Sequence, residues 1–320
     1  MNIVVLDGYT LNPGDLTWDG LAEFGNLIVY DRTDFEVNSI IKNIGSADIV
    51  FTNKTPLSGE VLPKVPSVRY IGVLATGYDV VDLESARESG ILVTNIPTYG
   101  TVAVAQFTFA LILELCHHVG AHNDAVHTGV WSKSPDFCYW KCPLIELDGK
   151  TIGLIGFGRI GQATAKIAQS FGLKVLVYDI YQDPELENEN CRYVSLDVLL
   201  NRSDFISLHC PLSESTWEII NRNSISAMKD GVMIINTARG QLINENDLSY
   251  ALNTGKIGAA AIDVVSEEPI KDDNPLLSAK NCIITPHIAW APKESRSRLM
   301  NTAIANLKAY LKGEPINVVS

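Results

Sequence analysis

Long apolar runs are missing from this 320-residue chain. The most apolar stretch, Val102 to Cys116, falls short of the roughly 20 residues a bilayer span requires and carries Gln106 and Glu114. It reads as a buried or interface helix. Basic residues are also scarce: 25 Lys and Arg stand against 37 Asp and Glu, a formal net charge of -12. A surface of that sign repels phosphate polymers and anionic lipid heads, so no nucleic acid and no membrane partner is expected. A small anionic substrate is still allowed, because one or two local cations set the potential of a site.

Cysteines number only six (116, 138, 142, 191, 210 and 282), spread through a chain too large to need disulfide staples. The first apolar run stops at Asp7 with no basic leader before it, so reduced thiols in a cytoplasm are the expectation. Cys138 and Cys142, and His118 and His122, are each four apart. Neither pair has an evident further ligand, and no metal is expected.

The chain does have core material: 46% of its residues are hydrophobic, enough for about two domains at roughly 100 to 200 residues each. Short apolar runs recur at Ile3–Leu6, Asn26–Tyr30, Ile49–Phe51, Tyr70–Leu74 and Ile91–Val93, as strands buried on both faces would. A helical stretch covers 101–128, and the Trp- and Pro-containing segment Trp131–Pro143 reads as a loop or a cross-subunit arm. A second series of six strands follows at Thr151–Ile155, Val175–Tyr178, Phe205–Leu208, Val232–Ile235, Ala259–Ile262 and Cys282–Ile284. Strands with helical spacers describe a doubly wound α/β sheet. Pro292 to Leu311 reads as an amphipathic helix with Leu299, Ala303, Leu307 and Tyr310 close to one face.

Gly156-Phe157-Gly158-Arg159-Ile160-Gly161 follows a predicted strand and opens a helix rich in small residues. Glycines there let the backbone approach a pyrophosphate, whose charge sits at the helix N-terminus. Asp179 ends the next strand, where its carboxylate would accept from the adenosine ribose hydroxyls and repel a 2′-phosphate. The expected cofactor is therefore NAD.

Three polar residues lie just beyond three successive strands: Arg239, Glu268 and His287. Ligands of open α/β sheets bind at that edge. Hydride transfer to a ketone needs a cation beside the carbonyl and a proton donor for the developing alkoxide. Arg239 suits the first role and His287 the second, with Glu268 to orient and charge the imidazole. Each has a plainer reading when taken singly, as a turn donor, a solvated acid or a satisfied imidazole; the glycine motif is what tips the balance.

The segments Asn236-Thr237-Ala238-Arg239-Gly240, Glu267-Glu268-Pro269 and Thr285-Pro286-His287-Ile288-Ala289 resemble the signatures of the NAD-dependent D-isomer-specific 2-hydroxyacid dehydrogenases. The similarity runs the full length of the chain. It implies an oxidoreductase with two doubly wound domains, a Rossmann NAD-binding domain (100–287) inserted into a flavodoxin-like substrate domain (1–99 plus 288–320). It also implies that Arg239, Glu268 and His287 are the catalytic set and that Asp263 contacts the nicotinamide carboxamide. Val104, Cys210, Pro211, Thr237 and Ala238 are further cofactor neighbours by the same resemblance. Gln106 departs from the family pattern, in which many members carry Glu.

Within the family, Thr52-Asn53-Lys54-Thr55-Pro56-Leu57, Val73-Leu74-Ala75-Thr76-Gly77-Tyr78-Asp79 and Ser134-Pro135-Asp136-Phe137-Cys138-Tyr139-Trp140 resemble the bacterial glycerate dehydrogenases, also called hydroxypyruvate reductases. This implies that the amides around Thr76 and Gly77 hold the substrate carboxylate with Lys54 nearby, and that Trp140 bounds substrate size. Lys54 also has an ordinary reading as a solvated loop residue, since a lysine before a turn is common. The expected reaction interconverts hydroxypyruvate and D-glycerate in a homodimer. Glyoxylate or another 2-ketoacid, and a non-enzymatic NADH-sensing corepressor, stand as alternatives.

Overall fold

A computed structural model describes residues 1–320 as two compact units, Met1–Gly100 with Trp290–Ser320, and Thr101–Ala289. The first unit opens with β1 (Asn2–Val5), α1 (Asp19–Ala22), β2 (Asn26–Val29), α2 (Val37–Ile44), β3 (Ile49–Thr52), β4 (Tyr70–Val73), α3 (Leu83–Glu88) and β5 (Leu92–Thr94). The strands pair in parallel in the order β2-β1-β3-β4-β5, the flavodoxin-like arrangement.

Strand periodicity explains the two faces of this sheet. Ile3, Val5, Ile49, Phe51 and Tyr70 point to one core and Val4, Val50, Ile71 and Val73 to the other, so each run is apolar throughout. Gly72 leaves room for the Phe51 ring beside it.

The second unit begins with α4 (Thr101–His117) and α5 (Val119–His127), which meet at His118 in the left-handed conformation. No single helix in the chain is long and apolar enough to cross a membrane; α4 and α5 reach that length only together and are bent by 56°. Next come β6 (Thr151–Ile155), α6 (Arg159–Ser170), β7 (Lys174–Tyr178), β8 (Cys191–Tyr193), α7 (Leu196–Arg202) and β9 (Phe205–Leu208). The unit closes with α8 (Arg222–Ala227), β10 (Val232–Asn236), α9 (Glu245–Thr254), β11 (Ile257–Ile262) and β12 (Cys282–Ile284).

All seven strands are parallel, in the order β12-β11-β10-β9-β6-β7-β8. This is the Rossmann order with one strand added beyond β11. The apolar runs predict only six strands here. The seventh, β8, has three residues with an exposed arginine at its centre, so it carries no apolar run to betray it. The strand order reverses between β6 and β9, the point at which such sheets hold nucleotides.

The chain then returns to the first unit as α10 (Lys293–Leu311). Leu299, Ala303 and Leu307 are buried against Ile3, Val5 and Tyr70, with Met300 beside them and Tyr310 at the margin, close to the predicted face. Beyond α10, Val318 pairs with Thr94 in an antiparallel bridge on the free edge of β5.

Candidate active site

The turn after β6 is shaped by three glycines with different tasks. Gly156 has φ +98, a conformation that favours glycine, and a Cβ there would collide with the backbone of His209 and Cys210 after β9. A Cβ on Gly161 would strike the carbonyl oxygen of Gly156, so α6 seats on the turn only with glycine at that point. A Cβ on Gly158 would meet nothing of the protein within 4 Å. That open side is the one from which a ligand can approach the backbone. Gly158 caps α6 without a side-chain bond, which leaves the amides around Arg159 and Ile160 and the positive end of the helix dipole available to a pyrophosphate.

Asp179, just past β7, accepts from Phe157 N at 2.6 Å and from Tyr181 N at 2.9 Å. The carboxylate that would read the ribose therefore also ties down the glycine turn. Lone pairs remain on both of its oxygens for ribose hydroxyls. Val104, buried in the first turn of α4, accepts through its carbonyl from Thr108 Oγ1, which lies 3.2 Å from Thr237 Oγ1. That contact sets α4 against the β10 end of the same edge. These residues fit a dinucleotide.

Arg239 leaves β10 through a turn closed by Asn236, whose buried side chain donates to Arg239 O at 2.8 Å and accepts from Ala238 N at 3.0 Å. The guanidinium is exposed and makes one bond, from Nη1 to Ala238 O. Gly240 follows against the Val265–Ser266 backbone, where no Cβ would fit. Close backbone approach thus brings the Arg239 turn against the segment leading to Glu268. Glu245, at the start of α9, accepts from Ser266 N, Ser266 Oγ and Asn274 Nδ2 at 2.7, 2.8 and 3.0 Å, and holds that segment from the other side.

His287 Nδ1 lies 2.7 Å from Glu268 Oε2. A carboxylate can only accept, so Nδ1 carries the proton and Nε2 is the nitrogen that gains or loses one. His287 has φ +55, outside the usual range for its type, and its loop is held by Asp263. The Asp263 carboxylate, 1% exposed, accepts from Thr285 Oγ1 at 2.6 Å and from Ile288 N and Ala289 N at 2.9 Å each, while its carbonyl takes His287 N at 2.8 Å. The resemblance implies a nicotinamide contact for Asp263; the structure shows a further task, fixing the histidine loop.

In the first unit, Asp7 accepts from the amides of Asn53, Lys54 and Thr55 at 2.8, 2.6 and 2.7 Å and shapes the turn that bears Lys54 after β3. Thr76 and Gly77 lie in the loop after the neighbouring strand β4, so the two segments share the carboxyl edge of that sheet. Trp140 is 66% exposed on the arm. His122 secures the arm to α5, its Nδ1 donating to His118 O and its Nε2 accepting from Lys141 N. The tasks of Asn236, Glu245 and Thr285 are not legible in the sequence. Asn236 and Thr285 stand within the quoted signature segments, but their bonds to Arg239 O and Ala238 N and to Asp263 show only in the fold, and the partners of Glu245, Ser266 and Asn274, lie 21 and 29 positions on.

The D-isomer specific 2-hydroxyacid dehydrogenase NAD-binding domain matches residues 109–289. Over 321 aligned residues, all of both proteins, the chain is 64% identical to a hydroxypyruvate reductase of Blautia hydrogenotrophica. It is 39% identical over 88% of each chain to a glycerate dehydrogenase of Methylorubrum extorquens. Among solved structures, D-lactate dehydrogenase of Aquifex aeolicus, complexed with NAD and lactic acid, superposes with TM-score 0.83 at 32% identity, covering 98% of this chain and 96% of that one. A glycine turn at the switch point, a paired imidazole and carboxylate on the same sheet edge, and this likeness along the whole length agree: the chain belongs to the NAD-binding D-isomer-specific 2-hydroxyacid dehydrogenases.

Proposed function

We propose that the protein reduces hydroxypyruvate to D-glycerate with NADH and runs the reverse reaction with NAD. The observation that carries this reading is the 2.7 Å pair of His287 Nδ1 and Glu268 Oε2 at the ligand edge of a dinucleotide-binding sheet. The choice of ketoacid is supported by the 64% identity to a hydroxypyruvate reductase.

Bound NADH supplies the hydride that the ketone carbon receives. Arg239 polarises the carbonyl and balances the charge that grows on its oxygen. His287 Nε2 gives that oxygen its proton, and solvent restores the proton to the ring. Glu268 holds the ring orientation and offsets its positive charge. In the oxidation direction the same nitrogen, unprotonated, takes the hydroxyl proton.

Lys54 and the amides of Thr76 and Gly77 hold the substrate carboxylate in this reading. The Gly77 amide donates to no atom of the chain, which supports it as a donor to ligand. The glycine turn, Asp179, Cys210, Pro211, Thr237, Ala238, Asp263 and Val104 form the cofactor surface.

The protein acts in this reading as a cytoplasmic homodimer. Apolar side chains exposed along α4, α5 and the arm support the dimer, among them Val102, Val119, Val126 and Phe137, the last 89% exposed. Trp140 on that arm bounds the substrate. The cytoplasm supplies the NADH that turnover consumes and keeps the six cysteines as thiols.

Absorbance at 340 nm with NADH and a panel of hydroxypyruvate, glyoxylate and pyruvate tests the reaction. The highest kcat/KM is expected for hydroxypyruvate; a preference for glyoxylate moves the substrate assignment, and no turnover with any ketoacid favours a cofactor-sensing protein. Light scattering at micromolar protein tests the dimer, and a monomer there rejects it.

A further inference from the structure

We propose that a chain of amides, Asn95–Asn306–Asn317, aims the Gly77 N–H and so positions the substrate carboxylate. The inference rests on the reading of the Thr76–Gly77 loop as the carboxylate anchor. It concerns three residues that no motif marks.

The loop after β4 is laced to the segment after β5. Asn95 Nδ2 donates to Thr76 O at 2.8 Å, Thr76 Oγ1 donates to Ile96 O at 2.8 Å, and Ile96 N donates to Ala75 O at 3.0 Å. The Thr76–Gly77 peptide is trans, so its carbonyl and its N–H point in opposite directions from one rigid plane. A donor that holds Thr76 O therefore fixes where Gly77 N–H points, which is away from Asn95. The Asn95 side chain acts on the substrate through this plane and does not touch it.

Asn95 is itself held at both backbone groups. Its N–H donates to Asn317 O at 3.1 Å, and its carbonyl accepts from Asn306 Nδ2 at 2.9 Å. Asn306 Oδ1 in turn accepts from Asn317 Nδ2 at 2.8 Å, which closes the circuit. Asn306 is 1% exposed on α10, one position before the core residue Leu307. An apolar side chain would suit such a position, and an amide there is costly unless both its ends are bonded. Asn317 has φ +55, a conformation asparagine tolerates better than most residues, and the backbone just beyond it runs along β5, with Val319 N donating to Val93 O at 2.9 Å. The segment after α10 thus reaches the anchor loop through two amide side chains.

A merely structural role would lower stability and leave substrate binding alone. A positioning role predicts a split between KM and kcat, because the anchor binds ground state and transition state alike. In the full-length protein, Asn306→Leu is expected to raise KM for hydroxypyruvate about ten-fold, with kcat within about three-fold of wild type and NADH affinity unchanged. Asn317→Ala, at a half-exposed position that the fold tolerates more readily, should show the same split at about three-fold. Gly77→Asp, which puts a carboxylate at the anchor, should raise KM strongly and tests the anchor reading separately. A raised KM in Gly77→Asp together with unchanged KM and lowered Tm in both asparagine variants overturns the amide chain alone. Unchanged KM in all three variants overturns the anchor and the proposal with it.

Discussion

Gly240 packs so closely against Val265 that no side chain fits between them. The glycine after Arg239 therefore records a contact between two strand ends, the one that delivers the guanidinium and the one that leads to Glu268. Gly240→Ala has to push these ends apart. Misplacement of catalytic groups by about 1 Å can cost about 10² in rate. The variant is expected to fold, to bind NADH, and to lose kcat/KM on that scale; steady-state kinetics beside fluorescence titration of NADH would show it, and unimpaired kinetics would mean that the contact does not position the site.

His287→Ala removes the proposed proton donor and should lower kcat by about 10² to 10⁴, the usual worth of a positioned general acid, with NADH binding retained. Glu268→Gln keeps a group able to bond the ring but removes the charge, so a smaller loss in kcat is expected. A kcat for His287→Ala within a few-fold of wild type would take the histidine out of the mechanism.

Asp263→Ala strips the Thr285–Ala289 loop of the carboxylate that accepts three of its hydrogen bonds. Two of those donors are backbone amides that would be left without an acceptor, so stability should fall by about 2–5 kcal/mol. Urea denaturation measures this directly. A loss under about 0.5 kcal/mol would show that the loop is held by other means.

Cofactor preference follows from Asp179. The wild-type protein should prefer NADH over NADPH, because the carboxylate repels a 2′-phosphate, and Asp179→Ala should narrow the ratio. The variant also loses the acceptor for Phe157 N, so its efficiency with NADH should fall as well. Equal wild-type efficiency with both cofactors would contradict the assignment.

His209, beyond β9, has its Nε2 3.0 Å from Ser207 Oγ, and burial pushes its imidazole down from 6.5 to about 4. The folded protein resists protonating this ring more than the unfolded chain does. The stability linked to it is therefore fully present above about pH 6.5 and is lost as pH falls from there toward about 4. His209→Gln should flatten that part of a Tm-against-pH curve. An unchanged slope between pH 6.5 and 4 would assign the acid sensitivity to other groups.

Local chemistry makes much of the site legible in the chain itself. A glycine turn after an apolar run, a carboxylate at the end of the next strand, and polar residues just past three others are short-range patterns set by periodicity and turn geometry. They locate Gly156, Asp179, Arg239, Glu268 and His287, and the apolar face of α10. The three-residue β8 escapes such reading because an edge strand with one exposed arginine needs no apolar run.

Tertiary structure alone decided which of these residues meet. Glu268 and His287 are 19 positions apart, and their contact depends on β11 and β12 being neighbours in the sheet. The same adjacency turns Asp263 into the anchor of the histidine loop, and that of β10 and β11 gives Gly240 its constraint. Asn95, Asn306 and Asn317 look like unrelated polar residues in the chain, and packing of α10 on the first sheet joins them. A side chain's own periodicity tells it whether to be buried; the partner that satisfies its hydrogen bonds is set by which distant strands and helices lie side by side.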